Sequence, residues 1–265
     1  MIYPETRYLF SGDQYLTVEI GDDMTLESNF KVLGLDLAIK AAKIPGLIET
    51  LPGWRSILVH FDSLATDVRR LIAALREVDR SAGAAGAVPS RVIELPVLYG
   101  ARYGPDLGFV AQANGLGSPE EAAARHAASL HWVGMVGFTP GSPQLKFLDE
   151  TKLMSVPKYT RPRLYTPEGC IGLGGSITAI YPVVSPGGYQ MMGLTPVPIY
   201  DRFQGLPDFE ESPILLRLGD RVRFVPITLE ECDAVRQRVR ECTYRITIRE
   251  ETVTLEGLLA PGVRA

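Results

Sequence analysis

Three segments carry side chains able to act on an anion or a carbonyl. Residues 156–167 read VPKYTRPRLYTP, with Arg161 and Arg163 flanking Pro162 and Lys158 just upstream. A proline ring fixes its own φ near about −65°, so cations beside it are held in set directions. A guanidinium fork held this way matches a carboxylate or phosphate. The plainer reading is a solvated loop between strands. Ser185-Pro186-Gly187-Gly188 follows Tyr181-Pro182. A glycine pair after proline is first a turn, but it also lets a ligand approach main-chain N–H groups, as an oxyanion requires. Gly137-Phe138-Thr139-Pro140-Gly141 has the same double meaning. His126 falls in a helical stretch, 120–129. It is either a structural hydrogen-bonding residue or, with an ordinary imidazole pKa near ~6.5, a group that orients a ligand or shuttles a proton. His131 and His60 are weaker candidates of the same type.

No self-sufficient catalytic set accompanies these residues. The chain has no GxSxG, HExxH or GxxxxGK[ST], and no GxGxxG after a strand. Gly172-Leu173-Gly174-Gly175 lies between strand-like runs and reads as a tight turn or barrel corner, not as a phosphate loop.

The elements that must position these residues fall into two textures. Residues 15–20 (YLTVEI) alternate as a strand, 30–43 have helical spacing, and 55–61 form a short apolar strand. Residues 64–78 follow as an amphipathic helix with Leu64, Val68, Leu71 and Leu75 on one face. With further strands at 7–10 and 91–98, this predicts a small α+β sandwich. The uncharged Gly/Ala-rich stretch 81–89 reads as a linker, which sets an N-terminal α/β domain at 1–88 and a second domain at 89–265. Short helices are expected at 105–114, opening on Pro-Asp, and after Ser118-Pro119. Beyond Trp132, short apolar runs broken by Gly/Pro turns have the rhythm of a β-barrel. The tail, 243–255, alternates and predicts a strand or hairpin.

Composition bounds the function. A 46% hydrophobic content excludes a disordered chain. With 31 acidic against 27 basic residues, the net charge of −4 argues against a general nucleic-acid binder, which needs a basic face. Cys170, Cys232 and Cys242 are odd in number and lack CxxC spacing, so a disulfide scaffold or zinc site is not expected. No apolar stretch approaches the ~20 residues that span a bilayer. The N-terminal MIYPETRYLFSGDQ has no basic region followed by an apolar run. Together these predict a cytoplasmic protein with no nucleic-acid or membrane partner.

In this order the segments resemble the carboxyltransferase subdomain C/D family, also called allophanate hydrolase subunit 1. Its members include the 5-oxoprolinase B-subunit and the sporulation-kinase inhibitor KipI. The resemblance rests on Gly12-Asp13, residues 44–62, Gly104-Pro105-Asp106-Leu107 (GPDL), His126, the GFxPG of 137–141, Arg161-Pro162-Arg163, Tyr181-Pro182, SPGG at 185–188, the GxTP of 193–196 and the GDxVrF of 219–224. It covers about residues 12–226.

The resemblance implies an N-terminal α/β domain followed by a cyclophilin-like β-barrel. It implies a carboxyltransferase subdomain A/B partner (allophanate hydrolase subunit 2-like), sometimes with a LamB/YcsF-type subunit. The activity it implies is ATP-dependent opening of 5-oxoproline, with ATP bound across subunits. Its alternatives are the carboxyltransferase half of a urea-carboxylase-like enzyme using a separate biotin carrier, and a KipI-like kinase inhibitor. The catalytic residues expected on this basis are His126 and Arg163. Phe138, Pro140, Gly141, Arg161, Tyr181, Ser185, Gly187 and Gly188 are expected to bind substrate. No metal ligand is expected. The chain departs from the family pattern at Ser142 and Gln144, where an aromatic pair is usual, at Lys158 in place of arginine, at Tyr189 in place of tryptophan, and at Gly169-Cys170-Ile171-Gly172-Leu173-Gly174, where GSVaIaG is usual. The loss of the two aromatics at Ser142 and Gln144 predicts a wider, more polar pocket. The extension after about residue 228 also lies outside the pattern.

Overall fold

A computed structural model describes residues 1–82 and 86–260. The chain divides into two compact units, one built on Met1–Pro89 and the other on Ser90–Glu251. Thr252–Leu258 groups with the first unit, although the alternating tail reads as part of the barrel domain. Part of the Gly/Ala-rich linker, 83–85, lies outside the described residues.

The first unit is a two-layer α/β sandwich. Its strands are β1 (Ile2–Phe10) and β2 (Tyr15–Gly21), then, after helix α1 (Leu26–Ala42), β3 (Leu47–Pro52) and β4 (Ser56–Phe61), with helix α2 (Val68–Ala82) last. The sheet order is β1-β2-β4-β3, antiparallel throughout. Alternation buries Leu16, Val18 and Ile20 of β2 and Ile57, Val59 and Phe61 of β4 on one face. The helices supply Phe30, Leu33, Ile39, Leu71 and Leu75 to the core. The Thr25 hydroxyl caps α1 by accepting from the Ser28 N–H at 3.2 Å. Leu64 does not share the α2 face: it precedes the helix and is 97% exposed. Periodicity carries the expected helix four residues too far upstream, into a turn in which the Asp62 carboxylate accepts from the Leu64 N–H.

The second unit opens with β5 (Val88–Tyr99), helices α3 (Leu107–Ala113) and α4 (Pro119–Ala127), and strands β6 (Leu130–Val136) and β7 (Pro143–Phe147). It continues through β8 (Arg163–Thr166), β9 (Cys170–Gly174), β10 (Ile177–Ile180), β11 (Ser185–Gly187), β12 (Gln190–Leu194) and β13 (Arg221–Pro226). Helix α5 (Leu229–Arg240), β14 (Thr247–Val253) and α6 (Leu255–Leu259) end the described chain. Seven strands, in the order β12-β9-β10-β7-β6-β13-β5, form a barrel that closes where Gly193 and Leu194 of β12 pair with Tyr99 and Leu98 of β5. The run 91–98, grouped with the sandwich strands by its alternation but with the second domain by the boundary at 88, is a barrel strand. Its length lets it hold β13 in parallel along Val92–Val97 and still reach β12 with its last residues.

Closure leaves no free edge in the ring and encloses Ile93, Leu95, Val133, Leu145, Leu173, Met192 and Phe224. The GDxVrF segment locks β13: both Asp220 oxygens accept from Arg91, at 2.9 and 2.5 Å. The glycines after Leu173 make the β9–β10 hairpin, with Gly174 paired to Ile177. Strands β8 and β11 form a separate two-stranded ribbon. Helix α5 escapes the periodicity reading, yet Thr228 and Glu231 form a capping box that the T-x-x-E spacing would have flagged. Among the described residues no helix is long and apolar enough to cross a membrane.

Candidate functional site

The ribbon and the β6–β7 loop frame a cavity of about 440 Å³ in the second unit. Its walls are aromatic, from Phe138, Tyr159, Tyr181 and Tyr189. Ser142, Gln144 and Lys158 add the polar groups, and Gly187 and Gly188 expose main chain. Ser142, Gln144, Lys158 and Tyr189, four of the positions that depart from the family pattern, line this one cavity. Four of the expected binding residues do as well: Phe138, Tyr181, Gly187 and Gly188.

The local backbone explains the shape. Phe138 is held at φ 74°, a left-handed conformation rare for an aromatic residue, and its side chain is 88% exposed at the cavity edge. The turn that holds it is closed by Gly137 N–H to Ser142 O at 2.8 Å and Ser142 N–H to Thr139 O at 3.0 Å. Those N–H groups are therefore engaged in the turn and do not form an oxyanion site. At Gly187, a Cβ would stand 2.3 Å from the Tyr181 hydroxyl oxygen and 2.6 Å from Thr166 Oγ1. Only glycine lets Tyr181 lie against this strand. Gly188 has no such constraint, with Pro162 at 3.8 Å its nearest neighbour.

Behind the wall, Asp106 gathers three donors: the Tyr159 hydroxyl, the Met191 N–H at 2.6 Å and Arg163 Nη1 at 3.4 Å. Arg163 also donates Nη2 to the Tyr189 carbonyl at 2.5 Å and lies 4.4 Å over the Tyr159 ring. The Tyr159 phenol is pushed up from its ordinary value, first by burial and then by its bond to Asp106. The Pro-Asp pair reads as a helix opening, yet the Asp106 side chain makes no cap bond to α3. The network uses it instead, and the GPDL motif is the one sequence signal for it.

Neither expected catalytic residue, His126 or Arg163, is among the residues that line the cavity. Arg163 does not line the cavity: its guanidinium is committed to Asp106 and Tyr189, which fixes the aromatic walls. His126 is fully buried inside the second unit. Its Nδ1 meets the Tyr99 hydroxyl at 2.8 Å and its Nε2 meets Thr178 Oγ1 at 3.0 Å. The rings of His131, Phe147 and Phe224 surround it. Burial, and secondarily the neighbouring His131, lowers its pKa well below the ordinary value, so it does not carry a proton near neutrality. The other expected residues also lie apart. Pro140 and Arg161 are exposed outside the cavity. Gly141 is buried against Tyr200 and Ile199. Ser185 pairs with Thr166 in the ribbon.

A closed barrel with a ribbon-framed aromatic cavity, in one chain with an α/β sandwich, is the architecture of a carboxyltransferase-type domain. The chain belongs to the family described as carboxyltransferase domain, subdomain C and D, whose model matches residues 6–209. It is 36% identical over 224 residues to the 5-oxoprolinase B-subunit of Escherichia coli O157:H7, covering 83% of this chain and 95% of that protein. It is 32% identical over 243 residues to the 5-oxoprolinase B-subunit of Bacillus subtilis (strain 168), covering 85% and 95%. The urea carboxylase of Kluyveromyces lactis has the same fold, with a TM-score of 0.84 at 23% identity. That alignment covers 98% of this chain and 26% of the carboxylase.

Proposed function

We propose that this chain is one subunit of a cytoplasmic, ATP-dependent enzyme that opens the lactam of 5-oxoproline to glutamate. The observation that carries the reading is the match along 95% of the length of two proteins named as the 5-oxoprolinase B-subunit. The cavity agrees with it. Tyrosine faces suit a small flat ring, Ser142 and Gln144 offer polar atoms to an amide, and the Gly187-Gly188 main chain lets the ligand come close.

A lactam carbonyl is a poor electrophile, and ATP would supply the activating phosphoryl group. The residues around this cavity do not fit ATP. A triphosphate needs several cations or a cradle of N–H groups. Here Arg163 is neutralised by Asp106, Lys158 is the single remaining cation of the described lining, and the Gly137 and Ser142 N–H groups are bonded within their turn. Nucleotide binding is therefore assigned to a partner, a carboxyltransferase subdomain A/B protein. The exposed apolar side chains of Phe138, Leu164, Tyr165 and Val184, on the ribbon and at the cavity edge, support a docking face there.

Co-expression with an A/B partner and a LamB/YcsF-type subunit tests this. The expected result is co-elution on gel filtration and ATP hydrolysis that depends on 5-oxoproline. Separate elution at micromolar concentration, or turnover of urea with a biotin carrier and none of 5-oxoproline, overturns it.

A further inference from the structure

We infer that Lys158 is the group of this chain that reads a negative charge on the ligand, so that the cavity selects lactams or small amides that carry a carboxylate. The inference rests on the proposed function for the identity of the ring, and on the structure for the charge.

Among the described residues lining the cavity, Lys158 is the only charged one. The sequence points to Arg163 as the anion site, but Arg163 is paired with Asp106, bonded to the Tyr189 carbonyl and absent from the lining. Arg161 is outside as well. Lys158 has no ion pair and no hydrogen bond among the described residues. Its Nζ stands 4.8 Å from the centroid of the Tyr189 ring. A ring face attracts an ammonium but does not neutralise it. Tyr189 thus holds the cation at the cavity while leaving all three of its donors free for a ligand. Tyr189 is itself fixed from behind, through its carbonyl, by Arg163.

The remaining lining is neutral. The Tyr159 proton is spent on Asp106. Ser142, Gln144, Tyr181 and Tyr189 can meet an amide but cannot balance a charge. A carboxylate placed here gains one charge-assisted contact from Lys158, whose exposed side chain can swing to meet it at the cavity edge. A lactam without the carboxylate gains nothing from Lys158. The selectivity between the two is therefore concentrated in one side chain.

The test compares 5-oxo-L-proline with pyrrolidinone, the same ring lacking the carboxylate, in the assembled enzyme. Lys158→Gln is expected to raise KM for 5-oxo-L-proline by about 10- to 100-fold, with kcat within a few-fold of wild type. Lys158→Arg restores most of the affinity, and pyrrolidinone inhibition is unchanged in both variants. Equal weakening of the two ligands by Lys158→Gln, or of neither, overturns the inference. Calorimetric titration of the full chain with 5-oxo-L-proline and with pyrrolidinone separates this from the function itself. If the complex does not turn over 5-oxo-L-proline, the proposed function fails. A carboxylate preference that vanishes in Lys158→Gln still supports the charge assignment, and equal or absent binding of the two compounds to the wild-type chain overturns it.

Discussion

The Asp106 carboxylate meets the Arg163 guanidinium at 3.4 Å, behind the aromatic wall rather than inside the cavity. The pair is largely shielded, with side-chain exposures of 14% and 21%. Asp106 also anchors Tyr159 and the Met191 N–H, and Arg163 also anchors the Tyr189 carbonyl, so two wall tyrosines depend on one ion pair.

Removing either member leaves donors or an acceptor stranded in a shielded place. Asp106→Ala and Arg163→Ala should each cost about 3 kcal/mol. At roughly 2–4 °C per kcal/mol for a protein of this size, melting should fall by roughly 6–12 °C. Differential scanning calorimetry measures this. A wild-type melting temperature for Arg163→Ala, combined with lost ligand binding, would return Arg163 to the role of direct ligand.

The two adjacent glycines of SPGG should respond differently. Gly187→Ala must displace Tyr181 or Thr166, because its methyl would lie 2.3 Å from the Tyr181 hydroxyl oxygen. The expected loss is about 1–3 kcal/mol, the usual range for overpacking, together with weakened ligand binding. Gly188→Ala meets Pro162 at an ordinary 3.8 Å and should leave both nearly unchanged. Urea denaturation and ligand titration of the two variants check the contrast, and equal effects would refute it.

His126 and His131 should contribute to the acid limb of stability. Burial lowers both, His131 to about 3. The unfolded chain takes up protons on them below about pH 6.5 while the folded chain does not. Stability should therefore be fully present above pH 6.5. It should fall as pH drops through that value, by up to about 1.4 kcal/mol per pH unit for each histidine, with the His131 share continuing down to about pH 3. Denaturation free energies measured from pH 7 to pH 5 give the slope. His131→Phe removes one titrating group and should flatten it, and an unchanged slope would exclude His131 as a source.

Phe138 separates folding from docking. At φ 74° and 88% exposed, it contributes strain and little packing. Phe138→Gly should relieve about 1 kcal/mol of strain, so the isolated chain melts no lower than wild type. Affinity for the A/B partner should fall by about tenfold or more, as expected for an aromatic anchor at an interface centre. Surface plasmon resonance with the partner reads this, and unchanged affinity would place the docking face elsewhere.

Much of the fold is legible in the sequence because its signals are local. The change of texture after Trp132 reports short strands joined by Gly/Pro turns. Ser118 and Pro119 announce α4, and the alternation of 15–20 announces β2. The ordered motifs of 104–107, 137–141 and 185–188 identify the family. The same locality explains what stays hidden. Arg163 and Asp106 are 57 residues apart, and nothing in either segment shows that they meet. Whether β5 belongs to the sandwich or to the barrel depends on its register against β12 and β13, not on its own alternation. An arginine beside a proline, or a histidine on a helix, has the same spacing whether it faces a ligand or the core. Chain periodicity fixes which residues share an element, but pairing across the closed barrel fixes which side chains are neutralised, buried or left facing the cavity. Tertiary structure alone therefore moves the free charge from Arg163 to Lys158.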